Sequence, residues 1–352
     1  MNAADSRLTT LEEWVVHDLG RRVARIEVAS ADASFRRYFR IVHPDRSTLI
    51  AMDAPPDKED IRPYLKVAGL LQSVGVHVPQ VHAVDLARGY VLLEDLGSMQ
   101  FLEKLQRGGD PDALYGDALA ALVRIQSRGQ DAARTLGPYD AAVLDREMAL
   151  MPEWFLARHL AFESGAEAQS LLRRTFDTLI AATLEQPRVL VHRDYHSRNL
   201  MVVAGHNPGI IDFQDALDGP VGYDLVSLLK DCYLAWPRAR VEAWLREYRA
   251  ALRREGAAAI AGASDAEFLR WFDLVGLQRH IKVLGIFARL WYRDGKVGYL
   301  ADLPLTLEYV RDTASRYGEL QSFARWLEAQ IVPRLAPATA AVMALRDRGG
   351  AR

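Results

Sequence analysis

The apolar pattern of the chain changes near residue 96, and this change constrains the fold more than any other feature of the sequence. Before it, short apolar runs such as "FRRYFRIV", "TLIAMDAP" and "YVLLEDLG" are typical of β-strands. After it, long segments with helical apolar spacing dominate, interrupted by "RVLVHRD" and "LMVVAGHNPGIIDFQD". The sequence therefore predicts an α+β fold with two lobes and a cleft between them: a β-rich lobe over residues 1–96 and a helical lobe with one small hairpin over residues 97–352.

The composition is that of an ordinary soluble globular protein, because half of the 352 residues are hydrophobic and the formal net charge is −2. A nearly neutral chain has no general attraction to nucleic acid or to anionic membranes, so we expect neither as a partner. The single Cys232 excludes an internal disulfide framework and a cysteine-based zinc cluster, and its apolar flanks predict a buried thiol. No secretory signal and no membrane-spanning run is recognisable, so we expect a cytoplasmic protein. We also expect the protein to be a monomer.

Residues 191–203, "VHRDYHSRNLMVV", place histidines, arginines, an aspartate and an asparagine between two apolar, strand-like flanks. Buried polar groups are costly unless they are hydrogen-bonded, so this segment is either a structural loop or a reaction site. Asn199 and Asp212 come together if a turn at "HNPG" joins two short strands, and their oxygens suit Mg²⁺ bound together with phosphate. Asp194, five residues before Asn199, is placed to accept a proton from an attacking hydroxyl.

The order of these residues matches the kinase catalytic loop H-R-D-x-x-x-x-N followed by D-F-G, which here reads "HRDYHSRN" and "DFQ". The fuller pattern, D-x-H-x-x-N followed by "IIDFQDALDGPVGYDL", resembles the aminoglycoside phosphotransferase family of small-molecule kinases. The resemblance implies a protein-kinase-like fold and phosphoryl transfer from ATP with Mg²⁺. It also implies roles for the site residues: Asp194 as catalytic base, Asn199 and Asp212 as metal ligands, His192, His196 and Asp224 as braces of the loop, and the backbone around Glu94 and Leu96 as the adenine contact.

Several longer segments, among them "ASFRRYFRI", "MDAPP" and "QRHIKVLGIFARL", resemble the anomeric amino-sugar kinases of bacterial cell-wall recycling. This resemblance implies N-acetylmuramate and N-acetylglucosamine as substrates, phosphorylated on the C1 hydroxyl for peptidoglycan recycling. It also makes residues 1–96 the nucleotide-binding lobe and residues 97–352 the lobe that carries the catalytic loop and binds the sugar. Two alternatives stay open: a phosphotransferase for another small alcohol, such as an aminoglycoside or choline, and a nucleotide-binding pseudokinase.

One departure from the kinase pattern concerns the phosphates of the nucleotide. Kinases carry a lysine on the third strand, whereas "LIAMDAP" places Met52 there, and no glycine-rich loop precedes it. Ser34 offers a hydroxyl, and the arginines of "FRRYFR" are the obvious substitutes for the missing charge, because a guanidinium binds phosphate through two parallel bonds. Alternation along a strand puts Arg37 on one face and Arg36 and Arg40 on the other. We favour Arg37; the alternative is a set of solvent-exposed arginines on an edge strand.

The sugar-binding residues carry the weakest signal in the sequence. Gln278, Arg279 and Lys282 lie within about one turn of a predicted apolar helix. A polar cluster there fits a buried site for a sugar or its lactyl carboxylate, and it equally fits a structural ion pair. Trp154 is placed to stack on a sugar ring, but an aromatic residue on an amphipathic helix also fits the core. The candidate substrate-binding residues are Glu147, Trp154, Arg198, Gln278, Arg279 and Lys282.

A histidine-based metal site is the remaining alternative for the polar stretch. His192 and His196 flank Asp194, as in fragments of metallohydrolase motifs, and such a site would make the protein a hydrolase. No H-E-x-x-H motif or distant histidine cluster completes it, and it leaves Asn199 and Asp212 without a role. The sequence therefore favours the kinase interpretation.

Overall fold

The computed structural model describes residues 5–31, 35–257, 260 and 262–349. Ser34, a predicted nucleotide ligand, lies outside the described residues. Within this part of the chain the strands are β1 Arg25–Ala31, β2 Arg37–Val42, β3 Thr48–Asp53, β4 Val81–Asp85, β5 Tyr90–Glu94, β6 Arg188–Val191, β7 Leu200–Met201, β8 Gly209–Ile210 and β9 Leu217–Pro220.

The other regular elements of the described residues are helices. The α-helices are α1 Ser6–Glu13, α2 Arg62–Ser73, α3 Phe101–Gln106, α4 Pro111–Arg128, α5 Gln130–Ala133, α6 Ala141–Met148, α7 Ala166–Leu184, α8 Gly222–Leu229, α9 Arg238–Arg254, α10 Asp265–Tyr292, α11 Leu303–Arg316, α12 Gln321–Trp326 and α13 Val332–Gly349. Wider π-helical turns cover Trp14–Asp18, Met151–His159 and Leu327–Ile331, and 3₁₀ turns cover Val297–Asp302 and Gly318–Leu320. None of the helices in the described ranges is both long and apolar enough to cross a bilayer.

The chain divides into two compact units by its internal contacts. The first unit consists of Met1–Ile125 and Arg198–Ala216, and the second consists of Gln126–Ser197 and Leu217–Arg352. The boundary predicted at residue 96 follows the change of apolar pattern, whereas this division follows internal contacts, and the predicted boundary stays a prediction.

The first unit contains a five-stranded antiparallel sheet with the strand order β1-β2-β3-β5-β4. Alternate residues of β2 face opposite sides of the sheet, and Phe39 and Ile41 are both buried. They pack with Leu11 and Trp14 of the N-terminal helical segment in one apolar cluster. Burial of one face of β2 therefore fixes the direction of the arginines that alternate with these apolar residues.

The predicted hairpin after the polar stretch is confirmed, and it belongs to the first unit. Strands β7 and β8 pair antiparallel, with Leu200 opposite Ile210. Two further backbone bonds attach the hairpin to the rest of the unit: Val202 donates to the Met99 carbonyl at 2.8 Å, and Ile210 donates to the His77 carbonyl at 2.8 Å. The hairpin is thereby anchored on both sides.

The second unit is built around α10, a helix of 28 residues that is buried along most of its length. Its start is fixed by a capping box in which Ser264 and Glu267 satisfy each other's backbone N–H groups. At Gly285 a Cβ atom would lie 2.3 Å from the carbonyl carbon of Leu150, so only glycine permits this approach. Cys232 is buried in the same core, which confirms the predicted buried thiol.

Candidate active site

The first unit contains a cavity of about 310 Å³ next to the end of β5. Its apolar lining comes from Ile50, Tyr64, Leu93, Leu96, Met201 and Ile211. The polar groups Glu94, Asn199 and Asp212 also line it. A concave apolar wall with a few convergent polar groups is typical of a small-molecule site, and this one suits a planar base with a charged tail. The predicted adenine contacts and the predicted metal ligands of the sequence thus line one cavity.

The side chain of Glu94 is held within the first unit. Its Oε2 accepts the Gln80 N–H at 3.1 Å, and its Oε1 lies 3.1 Å from Nε2 of His77. The Glu94 N–H donates to the Gln80 carbonyl at 2.9 Å. Because the carboxylate is engaged in this way, adenine recognition would fall to backbone groups beyond β5, as the family resemblance implies; this role stays a prediction.

Arg40 of β2 is bound to the segment that follows β5. Its Nε lies 2.6 Å from Oδ2 of Asp95, and its Nη2 donates to Oδ1 at 3.1 Å and to the Gly97 carbonyl at 3.1 Å. Burial raises the pKa of Asp95, but hydrogen bonds, that of Arg40 first, outweigh burial and hold the pKa below its ordinary value. The guanidinium of Arg40 is therefore used to fix the chain at the cavity.

Asn199 and Asp212 are neighbours in the first unit, as the hairpin predicted. Asn199 Nδ2 donates to Asp212 Oδ2 at 3.2 Å, and the Ile211 N–H donates to the Asn199 carbonyl at 3.1 Å. Gln214 Nε2 donates to Asp212 Oδ1 at 2.9 Å. An amide oxygen and a carboxylate are hard donors that suit Mg²⁺ when phosphate oxygens complete its coordination. The donor set fits that cation, and the metal role stays a prediction.

A histidine-based metal site finds no support in the structure. The described residues contain no group of three or more His, Cys, Asp or Glu side chains arranged to hold a metal ion. His192 is completely buried, and its ring lies edge-on to Tyr195 at 5.6 Å. It is therefore a packed core histidine.

Arg36 and Arg37, adjacent in sequence, have different partners in the first unit. Arg37 donates to Asp53 from Nε at 3.0 Å and from Nη2 at 2.5 Å, and it also contacts Asp5. Arg36, which is 8% exposed, has Nη2 at 3.5 Å from Asp212 Oδ1. The two arginines therefore point to different carboxylates, and only Arg36 reaches a predicted metal ligand. The predicted phosphate role of Arg37 stays a prediction.

In the second unit, a single carboxylate holds the start of the catalytic segment. Asp224 Oδ2 accepts the His192 N–H at 2.7 Å, and Oδ1 accepts the Arg193 N–H at 3.0 Å. Arg193 adopts a left-handed backbone conformation with φ 79°. Burial raises the pKa of Asp224 to about 7, and the two N–H donors oppose that rise. The geometry of Asp224 fits the bracing role that the resemblance implies.

Asp194 is half-buried and sits among positive charges of the second unit. Burial raises its pKa, but Lys282, His196, Arg279 and Arg193 outweigh burial, so the pKa lies below its ordinary value. The carboxylate is therefore ionised at neutral pH. An ionised carboxylate is the form that can orient a hydroxyl and accept its proton.

Glu147 is the centre of a buried polar network in the second unit. Its Oε1 accepts Arg193 Nη2 at 2.5 Å and Lys282 Nζ at 2.8 Å. Its Oε2 accepts Gln278 Nε2 at 3.4 Å and is bonded to the Tyr139 hydroxyl. Three predicted substrate residues, Glu147, Gln278 and Lys282, are thus brought together, and their observed contacts are with one another, with Arg193 of the catalytic segment and with the hydroxyls of Tyr139 and Tyr223. This arrangement matches the ion-pair alternative, and sugar contacts from these residues stay a prediction.

Arg279 differs from Lys282 because no carboxylate of the described residues lies within ion-pair distance of it, although Asp194 and Asp231 interact with its charge over a longer range. It is 5% exposed, and its Nη1 lies 3.7 Å from the Cys232 sulfur. Its Nε has no hydrogen-bond partner among the described residues. A buried guanidinium whose Nε has no hydrogen-bond partner among the described residues suits an anionic ligand, since a buried donor without an acceptor is costly.

The other predicted side chains are described by their own contacts. Trp154 packs on the apolar core of the second unit, with Arg158 over its ring at 5.4 Å. His196 lies edge-on to Tyr233 at 5.6 Å. Arg198 is half-buried at the start of the hairpin segment of the first unit. Trp154 therefore occupies the core position that was its alternative, and the substrate roles of Trp154 and Arg198 stay predictions.

One brace was missed from the sequence. Asp231 is buried and accepts the Ser197 N–H at 3.0 Å, and it is also bonded to the Ser197 hydroxyl. The signal was present in "YDLVSLLKDCYLAW", where Lys230 and Asp231 interrupt an apolar run. A buried charge within such a run requires a partner, and here the partner is the catalytic segment.

Comparison with known proteins supports the interpretation of this chain as a phosphotransferase. Residues 25–263 match the model of the APH family, described as the phosphotransferase enzyme family. The N-acetylmuramate/N-acetylglucosamine kinase of Pseudomonas aeruginosa is 50% identical over 297 residues, which cover 84% of this chain and 86% of that protein. The protein of the same name from Pseudomonas putida is 45% identical over 327 residues, which cover 90% of this chain and 94% of that protein.

Among solved structures, choline kinase LicA from Streptococcus pneumoniae has a TM-score of 0.60 at 12% identity, covering 87% of this chain and 99% of that one. This likeness confirms the predicted α+β, protein-kinase-like fold. The family match spans more than half of the residues, and the prediction of a phosphotransferase is likewise confirmed. The chain belongs to the APH phosphotransferase enzyme family.

Proposed function

We propose that this protein is a kinase that transfers the γ-phosphoryl group of ATP to the anomeric C1 hydroxyl of N-acetylmuramate and N-acetylglucosamine. The main structural support for phosphoryl transfer is the Asn199–Asp212 pair, which is hydrogen-bonded at 3.2 Å and lines the cavity of the first unit. The choice of sugar is supported by relatives that are 50% and 45% identical and bear that name. The products would serve recycling of peptidoglycan sugars in the cytoplasm.

In the proposed reaction the C1 hydroxyl oxygen attacks the γ-phosphorus, the bond from that phosphorus to the β,γ-bridging oxygen breaks, and ADP leaves. The hydroxyl proton passes to the Asp194 carboxylate, whose lowered pKa supports its role as an ionised acceptor. The anomeric hydroxyl is more acidic than an ordinary alcohol because the ring oxygen withdraws electrons. One carboxylate is therefore sufficient to orient it and to take its proton late in a loose transition state.

Asn199 and Asp212 are the residues that would hold Mg²⁺, which neutralises charge on the phosphate oxygens when it is bound. The adenine would lie against the apolar cavity wall with its edge toward the backbone at Glu94 and Leu96. Arg279, a buried guanidinium without a carboxylate partner among the described residues, is our candidate for the lactyl carboxylate of N-acetylmuramate.

The product distinguishes this proposal from its alternatives. Phosphorylation at C1 abolishes the reducing end, whereas phosphorylation at C6 preserves it. We expect ADP to form in step with the loss of reducing ends, and the phosphate to couple to the anomeric carbon and proton in NMR spectra. ADP production with the reducing end preserved would contradict C1 transfer but not kinase activity.

The same assay addresses the two other candidates. Turnover with an aminoglycoside or choline, but with neither amino sugar, would point to another small-alcohol phosphotransferase. Binding of ATP without turnover of any acceptor would point to a pseudokinase. The test is to measure ADP production with each of these acceptors in turn. Sedimentation velocity tests the expected monomer.

A further inference from the structure

The first unit has an apolar residue where kinases place their phosphate-binding lysine. Met52 is completely buried in β3, with Tyr38 and Val91 as its cross-strand neighbours. A thioether supplies no charge to a nucleotide phosphate. The positive charge must therefore reach the phosphates from another element, and the three arginines around β2 are the nearest candidates in the sequence.

Two of these arginines are committed to structural carboxylates. Arg37 shares the completely buried Asp53 with Arg7, whose Nε donates to Oδ1 at 2.8 Å. Releasing Arg37 would leave a buried carboxylate only partly compensated, which is costly. Arg40 is bound bidentately to Asp95, whose side chain is 4% exposed. Neither guanidinium is available for phosphate without a loss of stability.

Arg36 occupies a different place. The register pairs Arg37 with Asp53, the last residue of β3, so Arg36 lies one position beyond the end of that strand. Arg36 is two residues from Tyr38, which is the cross-strand neighbour of Met52. Its Nη2 lies 3.5 Å from Oδ1 of Asp212, a residue that lines the cavity. Burial raises the pKa of Tyr64, another lining residue, and the charge of Arg36 opposes that rise, which places this charge beside the cavity wall.

We propose that Arg36 is the phosphate-binding cation of this protein and replaces the lysine that kinases carry on the third strand. The proposal rests on the proposed function, because it assigns the nucleotide phosphates to the end of the cavity at Asp212. A guanidinium has five donors in a planar fork, so Arg36 can keep its contact with Asp212 while it donates to phosphate oxygens. Pairing with Asp212 also holds the side chain in place before the nucleotide arrives.

The test is a set of calorimetric titrations of the full chain with Mg²⁺–ATP, Mg²⁺–ADP and adenosine, without any sugar. Arg36→Gln should weaken ATP binding by about 10- to 100-fold, since a charge-assisted bond to phosphate is among the strong ones. Adenosine has no phosphate, so its affinity should stay within about twofold of that of the wild type. Arg36→Lys keeps the charge and should recover a large part of the loss.

Two comparisons make the result specific. Arg25→Gln removes an exposed arginine of β1 that pairs with Glu27, and it should leave ATP affinity unchanged. Arg37→Gln should lower the unfolding temperature more than Arg36→Gln, because Asp53 is buried.

Two results would overturn the proposal. One is an equal loss of ATP and adenosine affinity in Arg36→Gln, which would indicate a damaged cavity and no phosphate contact. The other is a selective loss of ATP affinity in Arg37→Gln while Arg36→Gln binds normally. If Arg36→Gln does not fold, an ATP affinity of Arg36→Ala equal to that of the wild type overturns it as well. Because no sugar is present, failure of the proposed acceptor would leave these outcomes unchanged.

Discussion

The backbone N–H of His192 donates to Oδ2 of Asp224 at 2.7 Å, across 32 residues of chain. The next N–H, that of Arg193, donates to the other oxygen of the same carboxylate at 3.0 Å. Both groups lie in the second unit directly before Asp194. Asp224, which is completely buried, therefore fixes the backbone from which the proposed base projects.

Substitution Asp224→Ala should lower both stability and turnover. Two buried N–H groups would lose their acceptor, and each unsatisfied donor costs about 1–3 kcal/mol. We expect the free energy of unfolding in urea to fall by about 2–5 kcal/mol, with a larger loss in kcat than in ATP affinity.

Asp224→Asn separates acceptor geometry from side-chain volume. The amide retains one acceptor oxygen and turns a donor toward the other N–H, so it should rescue no more than part of the loss. Glu247→Ala, an exposed position in α9, is the control and should change neither quantity. Full activity and wild-type stability of Asp224→Ala would contradict the bracing role.

The Glu147 network predicts strong coupling between distant residues. Burial raises the pKa of Glu147, but the charges of Lys282 and Arg193 outweigh burial and hold the pKa below its ordinary value, so the carboxylate is ionised. Glu147→Gln would remove the negative charge that compensates the buried Lys282 and the half-buried Arg193, and we expect a loss of about 3–5 kcal/mol in the free energy of unfolding.

A double-mutant cycle tests this coupling. Lys282→Met alone should also be destabilising, because it removes a buried cation that lies 2.8 Å from the Glu147 carboxylate. The double variant should be less destabilised than the sum of the single variants by about 1–3 kcal/mol. Each single variant loses the interaction between Glu147 and Lys282, so the sum counts that interaction twice. Additive losses would show that the two side chains do not stabilise each other.

Local patterns in the sequence were sufficient to predict part of the site. The pair Asn199 and Asp212 could be predicted because a turn between two short strands brings their ends together, and the hairpin is present. The apolar spacing around Cys232 predicted its burial. In each case the residues that determine the geometry are close along the chain.

Contacts between distant segments could not be predicted in the same way. Lys282 and Glu147 are 135 residues apart, and nothing in either neighbourhood specifies the other. Strand alternation placed Arg36 and Arg37 on opposite faces, yet it could not reveal that Asp53 engages Arg37. Such partners depend on how helices and loops pack, which the apolar pattern determines only in outline.

His159 predicts a pH dependence of stability in the second unit. It is 4% exposed, and burial lowers its pKa to about 4. Its ring nitrogens lie 3.1 Å from Oγ1 of Thr339 and 3.4 Å from the Tyr292 hydroxyl. Because the pKa in the folded state is below that of the unfolded chain, the unfolded chain binds more protons between pH 6.5 and about 4.

Stability should therefore fall as the pH is lowered through this window, by up to about 3 kcal/mol from this group. The measurement is the free energy of unfolding in urea at several pH values for the wild type and for His159→Gln. The difference between the two curves should be flat above pH 6.5 and should slope below it. A constant difference across the window would mean that His159 does not titrate there.

The roles of Asp194 and Asp212 can be separated by the step that each substitution affects. Asp194→Asn keeps the shape of the side chain but removes the proton acceptor, so kcat should fall by about 10²–10⁴ while ATP affinity is unchanged. Asp212→Asn removes a charged ligand and should weaken Mg²⁺–ATP binding as well as turnover. Asp177→Asn, at an exposed position paired with Arg173, is the matched control.

The distinguishing measurement is the affinity for ATP with and without Mg²⁺, taken together with kcat. For Asp212→Asn the advantage that Mg²⁺ confers on ATP binding should shrink, because a neutral amide attracts the cation less than a carboxylate does. For Asp194→Asn this advantage should remain as in the wild type. A near-normal kcat of Asp194→Asn would remove this residue as the base, and an unchanged Mg²⁺ effect in Asp212→Asn would remove that residue as a metal ligand.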